Sequence, residues 1–435
     1  MLIPSRPFLW ILAALLAVGI AAAFVPEIKL AWAFAATVLA VGALGDGLYA
    51  VSAPRLSARR VVPGSLALGV WHPVRLRLAN GERRALTLVL YDHHPAPFET
   101  RGLPRAVRLP AGGWSEIEYE VRPVQRGEFR FGAVEVRVRS PLALWVRAAD
   151  TGEASLTRVY PNFAAITKYA LLATDNRLSQ IGILQRRRRG EGLDFHQLRE
   201  WREGDSLRSV DWKATSRTMK LVSREYQDER DQQIVFLIDC GRRLAAQDDD
   251  LSHFDHVLNS ALLLSYVALR QGDAVGFMTF GGVERFMAPR KSAATVSLML
   301  NQLYDLQPTL ASSDYTAAAL ALTLRVRKRA LVVVLSNLRD EDDDTLAPAL
   351  ALLSQRHLVM FASLREHLLT RALDVRVDSF DRALTHASAA QYLRAREVAF
   401  RRLGQRGATC LDVEPQQLAV ALVNRYQDLK RAGRL

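Results

Sequence analysis

IVFLID at 234–239, AVGFMTF at 274–280, ALVVVLSNL at 330–338, LVMFASL at 358–364 and ATCLDV at 408–413 decide the fold. Each is short and mostly apolar, without the alternation of a half-exposed strand. Strands covered on both faces read this way, and parallel sheets cover both faces. Helical stretches separate them. Ser252 caps a segment that places Phe254, Val257, Leu258, Ala261, Leu262 and Leu264 at helical spacing. Further helices are expected from Ser292 towards Leu303 and over 314–327, 342–355, 386–404 and 415–430. VERFMAP (283–289) suits a short edge strand. Alternating strands and helices predict right-handed βαβ units and an α/β, doubly wound, mostly parallel sheet over 231–435.

Upstream the period changes. VRLRL (74–78), LTLVLY (86–91), SEIEYEV (115–121) and AVEVRVR (133–139) alternate apolar and polar residues, with Pro63-Gly64 and Asn80-Gly81 as turns. Several such strands predict a β-sandwich over 55–150. His93-His94 precedes Pro95 and reads as a loop or strand edge rather than a metal site. The segment 151–230 is mixed and contains four successive arginines, Arg186–Arg189, before Gly190. These could contact phosphate or an acidic partner, or simply be a solvated loop.

The N-terminus is different again. FLWILAALLAVGIAAAFV (8–25) and LAWAFAATVLAVGALG (30–45) carry no charge and are parted by Pro26-Glu27-Ile28-Lys29. Each approaches the roughly 17–25 residues that cross a bilayer, so 1–50 is expected to form a transmembrane helical hairpin. A cleaved signal peptide is the rival reading. Arg6 precedes the first span and Arg55, Arg59 and Arg60 follow the second, which places both ends in the cytoplasm. Trp10 and Trp32 suit an interfacial belt. Residues 55–150 hold 16 basic and 9 acidic groups, a net charge of +7 within a chain of 435 residues and net +13. That balance permits anionic lipid or nucleic acid as a partner. A hydrophobic content of 49% excludes a disordered chain, and two cysteines, Cys240 and Cys410, exclude a disulfide scaffold.

The most distinctive stretch is GEGLDFHQLREWREGDSLRSVDWKATSRTMKLVSREY, 190–226. Arg199, Gly204, Asp205, Arg208, Asp211, Trp212 and Arg217 closely resemble the signature of the bacterial family named domain of unknown function 58. That pattern reads G-x-x-F-x-x-L-R-x-Y-x-x-G-D-x-x-R-x-I-x-W-x-x-x-A-R. Here Trp201 replaces the usual tyrosine and Ser216 the usual alanine. The charged members could form an ion-paired strap, or a recognition surface.

The α/β segment resembles a von Willebrand factor A domain. Such a fold often holds Mg²⁺ on a D-x-S-x-S motif, a threonine loop and a later aspartate. Asp239 matches the first position, but Gly241 and Arg243 stand in the two serine positions. Asp314 or Thr316 falls where the threonine belongs, and Asn337 where the later aspartate belongs. The expectation is a degenerate adhesion site without metal, in which Arg243 pairs with Asp239 or Asp314. The acidic run Asp340–Asp344 reads as a helix N-terminus complementing the dipole.

No P-loop, G-x-S-x-G elbow or H-E-x-x-H helix is present. His253 and His256 share a helix face without an evident third ligand, and both cysteines read as core residues. The expectation is a non-enzymatic, cofactor-free adaptor in the bacterial cytoplasmic membrane. The resemblance implies a MoxR-type AAA+ ATPase as partner and a role in envelope-related assembly. The alternatives are a metal-dependent hydrolase, or an anionic lipid or nucleic-acid binder using 55–230.

Overall fold

The computed structural model describes residues 1–51, 55–162, 194–202, 205, 207–227, 232–248, 251–339 and 343–435. Of 194–197, 208, 225–227 and 343–344 it describes the backbone alone. The expected contacts of Arg186–Arg189, Gly204, the Arg208 side chain and Asp340–Asp344 lie outside that set. The chain divides into two units, Met1–Tyr160 and Pro161–Leu435. The boundary thus falls ten residues beyond the expected end of the β-rich segment, because Ser155–Tyr160 still pairs with Gly127–Phe131 and Ser65–Ala67.

Two helices, Arg6–Phe24 and Lys29–Val51, open the first unit, and both are long and apolar enough to cross a membrane. They pack at Gly19, where an added Cβ would lie 2.9 Å from the Trp32 indole nitrogen. That nitrogen donates to the Leu15 carbonyl at 2.9 Å, so Trp32 joins the two helices, while Trp10 is exposed.

The hairpin is built into the β-rich region. Leu2–Pro4 is an edge strand, antiparallel to Trp145–Thr151. Asp46, the acid of the second helix, is buried and accepts from the amides of Leu142 (3.0 Å) and Leu144 (3.3 Å) and from the Ser140 hydroxyl. Trp145 Nε1 donates to the Ala43 carbonyl at 2.8 Å, and Arg147 caps the helix end through the Ala50 and Val51 carbonyls. A carboxylate on an apolar helix is tolerated because three donors replace its water.

With Leu2–Pro4 and Trp145–Thr151 included, the described strands of this unit group into sheets of five, four and three. Period-two burial runs through them, as in His72–Asn80 and Trp114–Pro123. The side chains of Arg60 and Asp92, both buried, form an ion pair that Tyr119, the Gly132 carbonyl and the Phe131 ring surround. Pairing and complete hydrogen bonding are what make such charges tolerable in a core.

In the second unit, Asp194–Glu200 and Val222–Gln227 form an antiparallel ribbon. Six strands then make one sheet, in the order Phe286–Arg290, Ala274–Phe280, Gln233–Asp239, Leu331–Ser336, Leu358–Leu364, Thr409–Val413. All pairings are parallel except that of the Phe286–Arg290 edge. Alternate residues of each apolar run feed opposite faces. Ile234, Phe236 and Ile238 pack under His253–Arg270, Thr295–Leu303 and Leu418–Arg431; Val235 and Leu237 pack under Tyr315–Arg325, Asp343–Ser354 and Phe380–Gln405. The long helix begins six residues before its expected start, and His367–Asp374 adds a helix that the sequence reading omits. The chain leaves the Gln233–Asp239 strand in one direction for the Ala274–Phe280 side and in the other for Leu331–Ser336. That reversal makes the gap between Gln233–Asp239 and Leu331–Ser336 the switch point, where open α/β sheets place their ligand crevice.

Candidate functional site

Asp239 ends the central strand at this switch point and is fully buried. Its Oδ1 accepts from the Gly241 amide at 2.8 Å and from the Ser313 hydroxyl. Its Oδ2 accepts from the Ser336 hydroxyl and, at 3.5 Å, from the Tyr315 hydroxyl. Tyr315 and Ser336 are 2.7 Å apart, closing a ring of neutral donors. Ser336 ends the neighbouring strand, and Tyr315 opens a helix whose ring stacks edge-on to Phe280.

Glycine is required twice here. A Cβ on Gly241 would lie 2.2 Å from the Ser313 hydroxyl, and one on Gly281, at φ +73°, would lie 2.5 Å from it. The serine of the adhesion motif therefore cannot stand at 241 while Ser313 holds Asp239. Backbone bonds fasten the same loops: Arg242 N to the Ala311 carbonyl at 3.0 Å and Thr309 N to the Cys240 carbonyl at 2.7 Å. Beside this buried knot, Leu310 is 88% exposed and Val283 is 53% exposed.

Several expectations change. Arg243 is buried, but among the described residues it makes no ion pair with Asp239 or Asp314, because Asp239 already has neutral donors on both oxygens. Asp314 is exposed and caps the Tyr315–Arg325 helix through the Ala317 amide at 2.9 Å. Thr316 is exposed on that helix, so Ser313 takes the place assigned to it. Asn337 is buried and committed elsewhere: its Nδ2 donates to Glu366 at 3.1 Å, and its Oδ1 accepts from Arg396 at 3.2 Å.

Arg396 was not among the sequence candidates, yet it clasps this end of the sheet. From Phe380–Gln405 it reaches Asp412, Asn337, Ser363 and the Leu338 and Leu364 carbonyls, while 2% of its side chain is exposed. His253 is a core residue, with Nε2 2.9 Å from Asp248. Burial pushes the Cys410 thiol up to about 11, so it is not a thiolate at neutral pH.

In the signature stretch, Arg199 and Asp205 form a two-pronged pair at 2.6 and 2.8 Å. Asp211 caps the helix Trp212–Thr218 and pairs with Arg224 at 2.9 Å. Trp212 and Arg217 are exposed, and Trp201 is half-buried. Arg199, Asp205 and Asp211 are thus each ion-paired locally, and Trp212 offers an outward aromatic face.

The Mg²⁺ site of von Willebrand A domains can be tested against the residues at Asp239. One carboxylate, three neutral hydroxyls and an arginine four residues along supply too little negative charge for a hard divalent ion. The residues do not fit it. Calorimetric titration of the full chain with Mg²⁺ should therefore show no stoichiometric binding that Asp239→Asn removes. Such binding would mean that Ser313 and Ser336 turn from the carboxylate onto an ion.

Residues 197–385 match the profile of a family described as "Protein of unknown function DUF58". No curated protein matches the chain. Among solved structures, Salmonella alpha-2-macroglobulin reacted with methylamine is 20% identical, with a TM-score of 0.20, over 24% of this chain and 7% of that one. Escherichia coli alpha-2-macroglobulin activated by porcine elastase is 15% identical, with a TM-score of 0.19, over 24% and 9%. The CARDB domain of PF1109 from Pyrococcus furiosus is 12% identical, with a TM-score of 0.16, over 24% and 94%. The chain spans less than a tenth of either macroglobulin, and likeness at this level carries no argument.

Proposed function

We propose that this protein is a membrane-anchored, non-enzymatic adaptor, and that its α/β unit is a von Willebrand A-like module with a metal-free binding rim. The observation that carries the reading is the state of Asp239. Its carboxylate is buried and both oxygens are occupied by hydroxyl and amide donors. A base or nucleophile must reach its substrate, and this acid is enclosed. What it does is fix the loops that carry Leu310 and Val283. Exposed apolar side chains on a rigid loop cluster suit a protein partner.

The partner follows from the family resemblance: a MoxR-type AAA+ ATPase in envelope-related assembly, met on the cytoplasmic face of the bacterial inner membrane. The two apolar helices and their arginine flanks support that placement.

Crosslinking from native membranes tests this. Wild type should capture the ATPase, and a Val283→Asp, Leu310→Asp chain should capture at least tenfold less. Leu384→Asp, an exposed position on the Phe380–Gln405 helix, should leave capture unchanged. Equal capture by every variant would keep the partner and discard the rim. No capture with wild type would discard the adaptor reading.

A further inference from the structure

The first unit brings together three side chains that the sequence keeps far apart. In the antiparallel sheet Glu135 lies opposite Tyr91 on one side and Asp150 on the other. Directly opposed residues share a sheet face. His93 lies two residues beyond Tyr91, just past the strand end. The ligand atoms of His93, Glu135 and Asp150 all fall within 4.8 Å of one another. His93 Nε2 and Glu135 Oε2 are 3.2 Å apart, close to the spacing of two ligands on one ion.

The backbone under these groups is fixed. Asp92, immediately before His93, is held by Arg60 and Tyr119 in the core. The Gly132 amide donates to the His93 carbonyl at 2.8 Å, and Arg60 binds the Gly132 carbonyl at 2.7 Å. Arg137 takes the other oxygen of Glu135 at 2.7 Å while stacking on Tyr91, and so aims Oε2 at the histidine. An outer residue orienting a ligand in this way is a usual feature of metal centres. Two carboxylates against one guanidinium leave a net negative charge before any ion arrives. His93 is 57% exposed, so further positions are open to water.

We propose that His93, Glu135 and Asp150 bind one divalent transition-metal ion of the zinc class. One imidazole with two carboxylates is a borderline donor set, which takes Zn²⁺ in preference to Mg²⁺ or Ca²⁺. The ion joins the turn after Leu86–Asp92 to two neighbouring strands. This inference is independent of the reading of Asp239, which lies in the other unit.

The test uses the full chain in detergent, stripped with a chelator and titrated with ZnCl₂ against a chromophoric competitor. One equivalent per chain is expected, and 1 mM Mg²⁺ should not displace it. His93→Gln and Asp150→Asn should each weaken binding at least tenfold while melting like wild type without zinc. His94→Ala should bind as wild type does, since His94 Nδ1 lies against the Pro95 carbonyl at 3.0 Å. No bound equivalent, or one that survives His93→Gln undiminished, overturns the proposal.

Discussion

Replacing Arg396 with methionine should lower the unfolding midpoint of the α/β unit by about 10 °C, the largest effect expected of any single change there. The guanidinium holds Asp412 through Nε and Nη2, Asn337 and the Leu338 carbonyl through Nη1, and Ser363 and the Leu364 carbonyl through Nη2. Methionine fills much of the space and supplies none of these donors. Removing one partner of a buried ion pair is destabilising by roughly 3–5 kcal/mol, mostly through the groups left behind. In a unit of this size each kcal/mol moves the midpoint by about 2–4 °C. Arg396→Lys should recover only part, because one ammonium cannot span three strand ends. The check is differential scanning of the full chain, following the α/β transition. A midpoint within about 2 °C of wild type would show that the clasp is not a stability element.

Asp239→Ala should be the second largest, destabilising by about 2–4 kcal/mol and abolishing capture of the proposed ATPase partner. It strips the acceptor from the Gly241 amide and from the Ser313 and Ser336 hydroxyls. Each buried donor left without an acceptor costs about 1–3 kcal/mol, and some will find water or each other. Asp239→Asn separates geometry from charge. A serine hydroxyl both donates and accepts, so Ser313 or Ser336 can turn to meet the new amide. The asparagine chain should therefore be milder than the alanine chain in melting and should retain capture. If the two are equally damaged, the negative charge itself is needed, and a cation or a charged partner group belongs at the site.

How much of this was legible can be traced to particular residues. The sheet was, because a strand buried on both faces must be continuously apolar, and IVFLID and LVMFASL are. Helix ends were less so: Ser379 caps the long helix before any apolar residue of its inner face has appeared. His367–Asp374 is only eight residues long, and its half-buried stripe, Leu369, Ala372 and Leu373, is too short to announce a helix. At the rim, Asp239 was found and its partners were not. Ser313 is 74 residues away from it and Ser336 is 97, and no local rule links such positions. A signal did exist. The central runs close on polar residues, Asp239, Ser336 and Ser363, and Ser336 stands directly opposite Ser363 in register. Polar residues at the carboxyl ends of three adjacent buried strands, the last or next-to-last position of each, must share one rim. The Asp46 socket and the His93 cluster were illegible for the same reason: each is assembled from segments that only the fold brings together.

The way the hairpin enters the first unit bears on orientation. A domain hung from a flexible linker swings freely over the bilayer. Here the strand before the first helix and the turn gripping the second belong to the same sheet. The two apolar helices are then less a tether than an axle. If they tilt or turn, the β-rich region turns with them.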